Sequence, residues 1–332
     1  MTTSNGLVQR LRSALARWFG RAPTPGRWLE GSTFALSGFI WLRPWVLPRR
    51  RYRLYIPANR RRDERLPVLV LIHGCRQDAE TFARGTRIAA LADQERFLVL
   101  MPDQSDGAND WRCWNWFDTR TIAGKGEAAI VARMARTVAR KHDADFGRIV
   151  AAGLSSGAAL AAVLGIRHAD VFDAVVTHAG IACGATSTPF TALAVLKRGP
   201  ETDIARIGRE ARRGDAGIVP LLAIQGASDE TVAPRHAAAL ARQYLAFNGV
   251  DVPAGSESTL PPSDIDTRDA GRAPYVVHTR EWQRDGRAIV RLVEIDSLGH
   301  AWSGGDPSVP FNDAAAPSAS AMIAQWIEGL PR

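Results

Sequence analysis

Apolar runs alternate with amphipathic stretches along most of the chain after residue 50. Residues 67–72 and 97–101 are nearly continuous apolar runs, which is typical of strands buried on both faces of a sheet. Residues 128–141 and 156–168 instead repeat apolar positions with helical spacing. Repeated β-α units of this kind predict an α/β fold with a mostly parallel central sheet and helices on both faces. The same pattern predicts strands at residues 51–56, 148–152, 174–177 and 219–224, and helices at residues 233–247 and 318–327.

Three segments interrupt this alternation. Residues 183–217 have weak periodicity, and we expect them to cross the top of the sheet as a lid. Residues 251–272 are rich in Pro, Ser and Asp, which predicts an exposed loop. Residues 275–282 and 288–295 flank the sequence Arg-Asp-Gly, which predicts a C-terminal β-hairpin.

The N-terminal part of the chain differs from the rest in charge. Residues 1–62 contain thirteen arginines, no lysine and a single acid, Glu30, and so carry a net charge of +12, whereas the remainder carries −4. Apolar residues from Leu7 to Phe19 share one face of a predicted helix. We therefore divide the chain into a basic extension, residues 1–48, and an α/β domain, residues 49–332. The helix is expected either to pack on that domain or to contact an anionic surface.

Composition and charge limit the classes of partner that the protein is expected to bind and its expected cellular location. A basic head on a neutral-to-acidic body is not a uniformly basic protein, so no nucleic-acid partner is expected. Residues 1–33 contain no apolar run of the secretory type, and the apolar stretch 34–42 is too short to span a bilayer, so the expected location is cytoplasmic. Three cysteines do not make a disulfide scaffold, although one pair and a free thiol remain an alternative.

A sharp strand-to-helix turn is predicted at the sequence Gly-Leu-Ser-Ser-Gly, residues 153–157. Such a turn leaves no room for side chains two residues before and after its central residue, so glycine is needed at both places. Ser155 meets this requirement. Ser156 does not, because the same spacing puts Leu154 and Ala158 in the crowded places. Ser155 is therefore the candidate nucleophile.

A serine nucleophile needs a base, and the base needs a group that orients it. Asp229 follows the predicted strand 219–224, and His300 lies in the loop after the predicted strand 288–295. Both residues are therefore expected at the same edge of the sheet as Ser155. We predict that His300 is the general base and Asp229 the acid that orients it. The alternatives are a helix-capping role for Asp229 and a packing role for His300.

Two backbone N–H groups are candidates for stabilising a developing oxyanion. One belongs to Ser156, the residue after the candidate nucleophile. The other belongs to Cys75, because His73-Gly74-Cys75 follows the predicted strand 67–72. His73 is then a structural residue of that loop rather than a second base.

Three tryptophans within six residues mark the tract 111–117. Trp114 and Trp116, together with Trp302, are candidate walls of a substrate pocket. The alternative is that they hold their loops in place. Cys75 and Cys113 flank segments that belong at the same sheet edge, so a disulfide between them is a further hypothesis.

These motifs resemble those of the poly(3-hydroxybutyrate) depolymerase family of esterases, whose relatives include acetylxylan and feruloyl esterases. The resemblance implies an α/β-hydrolase fold and carboxylic-ester hydrolysis through an acyl-enzyme, without a metal or other cofactor. It names short-chain 3-hydroxyalkanoate polyesters or oligomers as substrates, with acylated carbohydrates as the alternative. The matching motifs, in the family's order, are residues 51–57, His73-Gly74-Cys75, Cys113-Trp114-Asn115-Trp116-Phe117, residues 153–157, and Gly299-His300-Ala301-Trp302-Ser303-Gly304-Gly305.

Two departures from the family's pattern lie beside the predicted site. The family commonly has Ala-Gly after the serine and His-Gly before the acid, whereas this chain has Ser156-Gly157 and Gln225-Gly226. Neither change removes a catalytic group. A third hypothesis, from another functional class, is a protein that binds a granule or membrane surface through its basic head and keeps the hydrolase body as a scaffold. It requires that Ser155, Asp229 and His300 do not converge.

Overall fold

A ten-stranded sheet forms the centre of the part of the chain that the computed structural model describes, residues 24–34, 49–200, 202–212, 217–252, 260–269 and 274–331. The spatial order of its strands is β1-β2-β4-β3-β5-β6-β7-β10-β9-β8. The strands are β1 Arg27–Phe34, β2 Arg49–Ile56, β3 Val68–Ile72, β4 Leu98–Pro102, β5 Ile149–Leu154, β6 Ala174–His178, β7 Leu221–Gly226, β8 Ile265–Asp269, β9 Val277–Arg284 and β10 Arg287–Ile295.

Helices lie along this sheet, and a short two-stranded sheet follows it in the chain. The helices are α1 Ala79–Thr86, α2 Ile88–Glu95, α3 Thr119–Ile122, α4 Gly126–Lys141, α5 Ser156–Arg167, α6 Pro189–Arg198, α7 Ile204–Ala211, α8 Arg235–Phe247 and α9 Ala319–Glu328. The small sheet pairs β11 Trp302–Ser303 with β12 Asn312–Asp313. Within the described ranges, no helix is long and apolar enough to cross a bilayer.

The middle of the sheet is parallel. Strands β4, β3, β5, β6, β7 and β10 run in one direction, and β2 pairs antiparallel with β4. Every residue of β3, β4, β5, β6 and β7 is buried, as expected for strands that are covered on both faces. This arrangement confirms the predicted α/β-hydrolase fold. Because parallel strands end at the same edge, the loops after β3, β5, β7 and β10 meet there.

The predicted C-terminal hairpin is confirmed. Strands β9 and β10 are antiparallel neighbours, with Arg284 opposite Arg287. Asp285 and Gly286 connect them with φ angles of 52° and 71°. Two successive residues with positive φ form the turn type whose twist matches that of the flanking strands. The hairpin leads directly into the loop that carries His300.

Two predictions from the sequence differ from the structure at the edges of the sheet. Strand β1 lies within the segment predicted as an extension, yet it pairs along its whole length with β2 and belongs to the main sheet. Strand β8 lies within the predicted loop 251–272 and pairs with β9. All five residues of β8 are exposed, so the strand has no buried face that would require alternating apolar residues. The predicted N-terminal helix at residues 7–19 lies outside the described residues.

The segment predicted as a lid contains two helices. Helix α7 packs closely on α8. The two helices approach so closely at Gly208 that a Cβ atom there would lie only 2.3 Å from the Gln243 carbonyl oxygen. Helix α6 instead exposes Phe190 and Leu193 on its outer side. Part of the predicted lid therefore belongs to the body of the domain.

Candidate active site

Ser155 occupies a tight turn between β5 and α5, with φ 56° and ψ −119°. The glycines on either side are required by close backbone contacts. A Cβ atom at Gly157 would lie 2.3 Å from the Ile72 carbonyl oxygen, and one at Gly153 would lie 2.5 Å from the Gly157 carbonyl carbon. A non-glycine residue in this conformation is strained, and such strain is held only where the surroundings enforce it. The turn therefore has the register that the sequence predicts for Ser155.

His300 and Asp229 are joined by a 2.7 Å hydrogen bond from Nδ1 of the imidazole to Oδ2 of the carboxylate. The other carboxylate oxygen accepts the backbone N–H groups of Thr231 and Val232, at 2.9 and 2.8 Å. Because Asp229 can only accept, the Nδ1 atom of His300 carries a proton and the Nε2 atom is free to act as a base. The Asp229 side chain is fully buried, whereas that of His300 is 16% exposed.

The carboxylate of Asp229 remains ionised in this setting. Burial acts to raise its pKa, but the hydrogen bond and charge of His300 and the two backbone N–H groups together lower the pKa below its usual value. Gln225 adds a contact on the same side, since its Nε2 atom lies 3.4 Å from Asp229 Oδ2 and donates to the Val232 carbonyl oxygen at 3.1 Å. Hydrogen bonds thus hold both carboxylate oxygens of Asp229 in place.

His178, the last residue of β6, links the serine turn to the histidine loop. Its carbonyl oxygen accepts the Ser155 N–H at 2.9 Å, and its Nε2 atom accepts the Ser303 N–H at 3.2 Å. Its ring also stacks on Trp302 at a centroid distance of 5.3 Å. No hydrogen bond joins Ser155 Oγ to His300 in the described structure. In enzymes, the hydrogen bond between a nucleophile and its base is often long until substrate is bound.

Burial keeps His178 neutral. Burial is the main cause that lowers its pKa to about 3, His300 lowers it further, and Asp229 opposes the shift. An uncharged imidazole can accept the Ser303 N–H at Nε2, whereas an imidazolium cannot. This residue was missed in the sequence, although a polar residue that ends an apolar strand at the carboxyl edge of the sheet is a usable signal.

The two candidate oxyanion donors are unpaired in the described structure. The backbone N–H groups of Cys75 and Ser156 have no acceptor among the described residues. Ser156 is the first residue of α5, so its N–H also lies at the positive end of that helix. A Cβ atom at Gly74 would lie 3.6 Å from Ser155 Cβ, so the loop before Cys75 lies directly against the serine.

His73 supports this loop rather than acting as a second base. Its Nδ1 atom donates to the Gly74 carbonyl oxygen at 2.7 Å, and its Nε2 atom accepts the Gln104 N–H at 3.1 Å. Burial lowers the pKa of His73, which keeps the ring neutral and suited to both contacts. The Gly74 N–H is bound by Gln77 Oε1 at 2.9 Å. These contacts fix the orientation of the peptide that carries the Cys75 N–H.

Cys75 and Cys113 form a disulfide, which confirms the hypothesis that these two residues are bonded. Cys183 is buried and free. The Ser156 hydroxyl lies 3.4 Å from Cys75 Sγ and accepts the Trp114 N–H at 3.3 Å. The Ser156 hydroxyl therefore links the turn of Ser155 to the disulfide and to the tryptophan tract.

The three tryptophans proposed as pocket walls are buried. Trp114, Trp116 and Trp302 are 0%, 5% and 1% exposed. Trp114 Nε1 donates to the His73 carbonyl oxygen, and Trp302 Nε1 donates to Ser320 Oγ, each at 3.1 Å. Side chains with so little surface do not line a pocket in this conformation. The alternative from the sequence, that these residues hold their loops in place, describes them better.

Glu127 anchors the tryptophan tract from below and was also missed in the sequence. Its carboxylate accepts the Asn115 N–H at 2.7 Å and the Gln104 side-chain amide at 2.6 Å, and Arg50 lies 3.4 Å away. Burial is the main cause that raises its pKa. An isolated glutamate in a helix gives no sequence signal for such a role.

No group of three or more His, Cys, Asp or Glu side chains that could hold a metal ion occurs among the described residues.

Comparison with known proteins places this chain in a family. Residues 50–259 match the sequence profile of the family described as Esterase PHB depolymerase. Poly(3-hydroxyalkanoate) depolymerase C of Paucimonas lemoignei is 29% identical over 250 residues, which cover 74% of this chain and 56% of that protein. Feruloyl esterase B of Thermothelomyces thermophilus is 29% identical over 209 residues, which cover 60% of this chain and 72% of that protein.

Among solved structures, an acetyl xylan esterase from Aspergillus awamori superposes with a TM-score of 0.66 at 18% identity. The superposition covers 84% of this chain and 94% of that one, and at this identity it shows the shared fold alone. The family profile covers more than half of the chain and spans both Ser155 and Asp229. The chain therefore belongs to the Esterase PHB depolymerase family.

Proposed function

We propose that this protein is a serine esterase that hydrolyses short-chain 3-hydroxyalkanoate esters, with Ser155 as nucleophile, His300 as general base and Asp229 as the orienting acid. The observation that carries the proposal is the 2.7 Å bond between His300 and Asp229, in a loop that His178 ties to the turn of Ser155. Family membership adds support, because the relatives named above are a depolymerase and an esterase.

In the proposed reaction, Ser155 Oγ attacks the ester carbonyl carbon while His300 Nε2 takes its proton. The carbonyl oxygen becomes an oxyanion and accepts hydrogen bonds from the N–H groups of Cys75 and Ser156. The intermediate collapses, and the alcohol leaves with the proton that His300 returns. Water then attacks the acyl-enzyme by the same route and releases the acid. The buried carboxylate of Asp229 stabilises the imidazolium form of His300 in both steps.

The test of the nucleophile is the rate of p-nitrophenyl butyrate hydrolysis by Ser155→Ala beside a matched Ser156→Ala variant. Loss of the nucleophile should lower kcat by several orders of magnitude. The neighbouring change removes a hydroxyl but keeps the backbone N–H, so it should retain most of the activity. Substantial activity in Ser155→Ala, with a native melting curve, would refute the assignment.

A carbohydrate acyl ester is the second candidate substrate, because feruloyl esterase B is as similar to this chain in identity as the depolymerase is. Turnover of 3-hydroxybutyrate oligomers, acetylated xylan and methyl ferulate should be compared at equal ester concentration. The proposal predicts the highest kcat/KM for the hydroxybutyrate oligomers. A higher value for either of the other two esters would transfer the assignment to that class.

A further inference from the structure

Arg76 and Trp111 form an exposed pair beside the candidate oxyanion loop. The guanidinium carbon of Arg76 lies 5.0 Å from the centroid of the Trp111 ring, and Trp111 is 63% exposed. The backbone N–H of Arg76 donates to the backbone carbonyl oxygen of Trp111 at 2.7 Å. The disulfide between Cys75 and Cys113 lies next to this bond, so the two residues are fixed relative to each other.

The loop that carries Arg76 passes close to the candidate nucleophile. Arg76 follows Gly74 by two residues, which span at most about 7 Å of chain. A Cβ atom at Gly74 would in turn lie only 3.6 Å from Ser155 Cβ. The arginine side chain is therefore rooted at the edge of the site, directly after the candidate oxyanion donor Cys75.

Arg76 is a cation without an anionic partner in the described ranges. The neighbouring Arg112 is paired with Asp78 and Asp106. No carboxylate of the described residues lies within salt-bridge distance of Arg76, which instead contacts the Trp111 ring. Stacking on an aromatic face leaves the edge of a guanidinium free, and this edge matches a carboxylate with two parallel hydrogen bonds.

We infer that Arg76, held by Trp111, is a binding subsite for a carboxylate carried by the substrate near its scissile ester. This inference rests on the proposed function. In an oligomer of a 3-hydroxy acid, the free carboxylate of the last residue lies about 5 Å from the nearest ester carbonyl carbon. A neutral sugar ester has no such group. The subsite therefore favours acid-terminated oligomers over their uncharged analogues.

The test measures binding rather than turnover, with Ser155→Ala protein as the parent. Dissociation constants are determined by calorimetry for a 3-hydroxybutyrate trimer and for the same trimer with its terminal carboxylate converted to an amide. The acid should bind about tenfold more tightly than the amide. Adding Arg76→Gln should reduce this ratio to below about twofold, because the neutral side chain cannot form the charged pair.

Arg62→Gln is the matched control, since it removes one exposed positive charge from a residue with no part in the site. It should keep the parental ratio, and the ratio should shrink in high salt because exposed charges are screened. A ratio that Arg76→Gln leaves unchanged, or a parent that binds the amide as tightly as the acid, would overturn the inference. Hydrolysis of the trimer by the Ser155→Ala parent would instead count against the proposed nucleophile, so the two failures are distinguishable.

Discussion

Acidification should destabilise this protein through His178. The folded protein holds this ring neutral, with a pKa of about 3, whereas an unfolded chain restores the ordinary value of 6.5. Between these two values the unfolded state binds a proton that the folded state does not. Stability therefore increases with pH across this window and is lost as the pH falls below 6.5. Protonation would also remove the acceptor for the Ser303 N–H in the loop that carries His300, so the proposed activity should fall as well.

The size of the effect follows from the pKa difference. Each pH unit below 6.5 costs about 1.4 kcal/mol until the folded ring itself is protonated. At pH 5 the penalty from this one residue is therefore about 2 kcal/mol, and at pH 7.5 it is close to zero. His178 is 1% exposed, so solvent screening does not reduce the figure substantially.

The assay is urea unfolding of the wild type and of His178→Gln, each at pH 7.5 and at pH 5. Glutamine keeps an acceptor for the Ser303 N–H but does not titrate, and the other buried histidines contribute equally to both proteins. The wild type should lose about 2 kcal/mol more than the variant between the two pH values. Equal losses in the two proteins would refute the reasoning, whatever their absolute stabilities.

Three further predictions concern the acid, the turn and the disulfide. Asp229→Asn should lower kcat about 10³- to 10⁴-fold in a steady-state ester assay while leaving the melting temperature nearly unchanged, because the amide fixes the wrong tautomer of the base; less than a tenfold loss would contradict the assignment. Gly157→Ala should reduce the free energy of unfolding by about 3 kcal/mol, since the new Cβ meets two backbone carbonyls. Gly299→Ala, with nothing within 4 Å of its Cβ, should be neutral in the same denaturation curves. Replacing Cys75 and Cys113 together by serine should cost about 4 kcal/mol, as expected for a loop of 38 residues; an unchanged urea midpoint would show that the bond does not constrain the unfolded chain.

The parallel strands and the serine turn were predictable because local sequence determines them. The five fully buried strands, β3 to β7, were predicted to within two residues of their observed bounds, since apolar runs of this kind are typical of strands buried on both faces. The register of the turn followed from the two glycines, which close backbone contacts require. The positions of Asp229 and His300 followed from the rule that parallel strands end at one edge.

The edge strands could not be predicted, because their pairing depends on a neighbour rather than on their own pattern. Strand β8 is polar and fully exposed, and it is a strand because β9 offers it backbone partners. Strand β1 is partly exposed along its length and forms the opposite edge of the sheet beside β2. At both edges the strand is stabilised by backbone hydrogen bonds to its neighbour, and the pattern of its side chains does not predict a strand.

The details of the site depended on tertiary contacts that a sequence does not display. Burial of Trp114 and Trp302 follows from partners far along the chain. A cytoplasmic location, where thiols stay reduced, argues against a disulfide, yet the fold brings Cys75 and Cys113 together. His178 acquires its role only because one residue serves both the serine turn and the histidine loop.

The central claim, that Ser155 is a nucleophile activated by His300, is tested most directly by covalent labelling with a fluorophosphonate. We expect one added probe per molecule, located by peptide mapping on the segment that contains Ser155, and no labelling of Ser155→Ala. His300→Ala should be labelled far more slowly, because the hydroxyl loses its base. A probe attached to another residue, or wild-type protein that remains unlabelled, would contradict the claim.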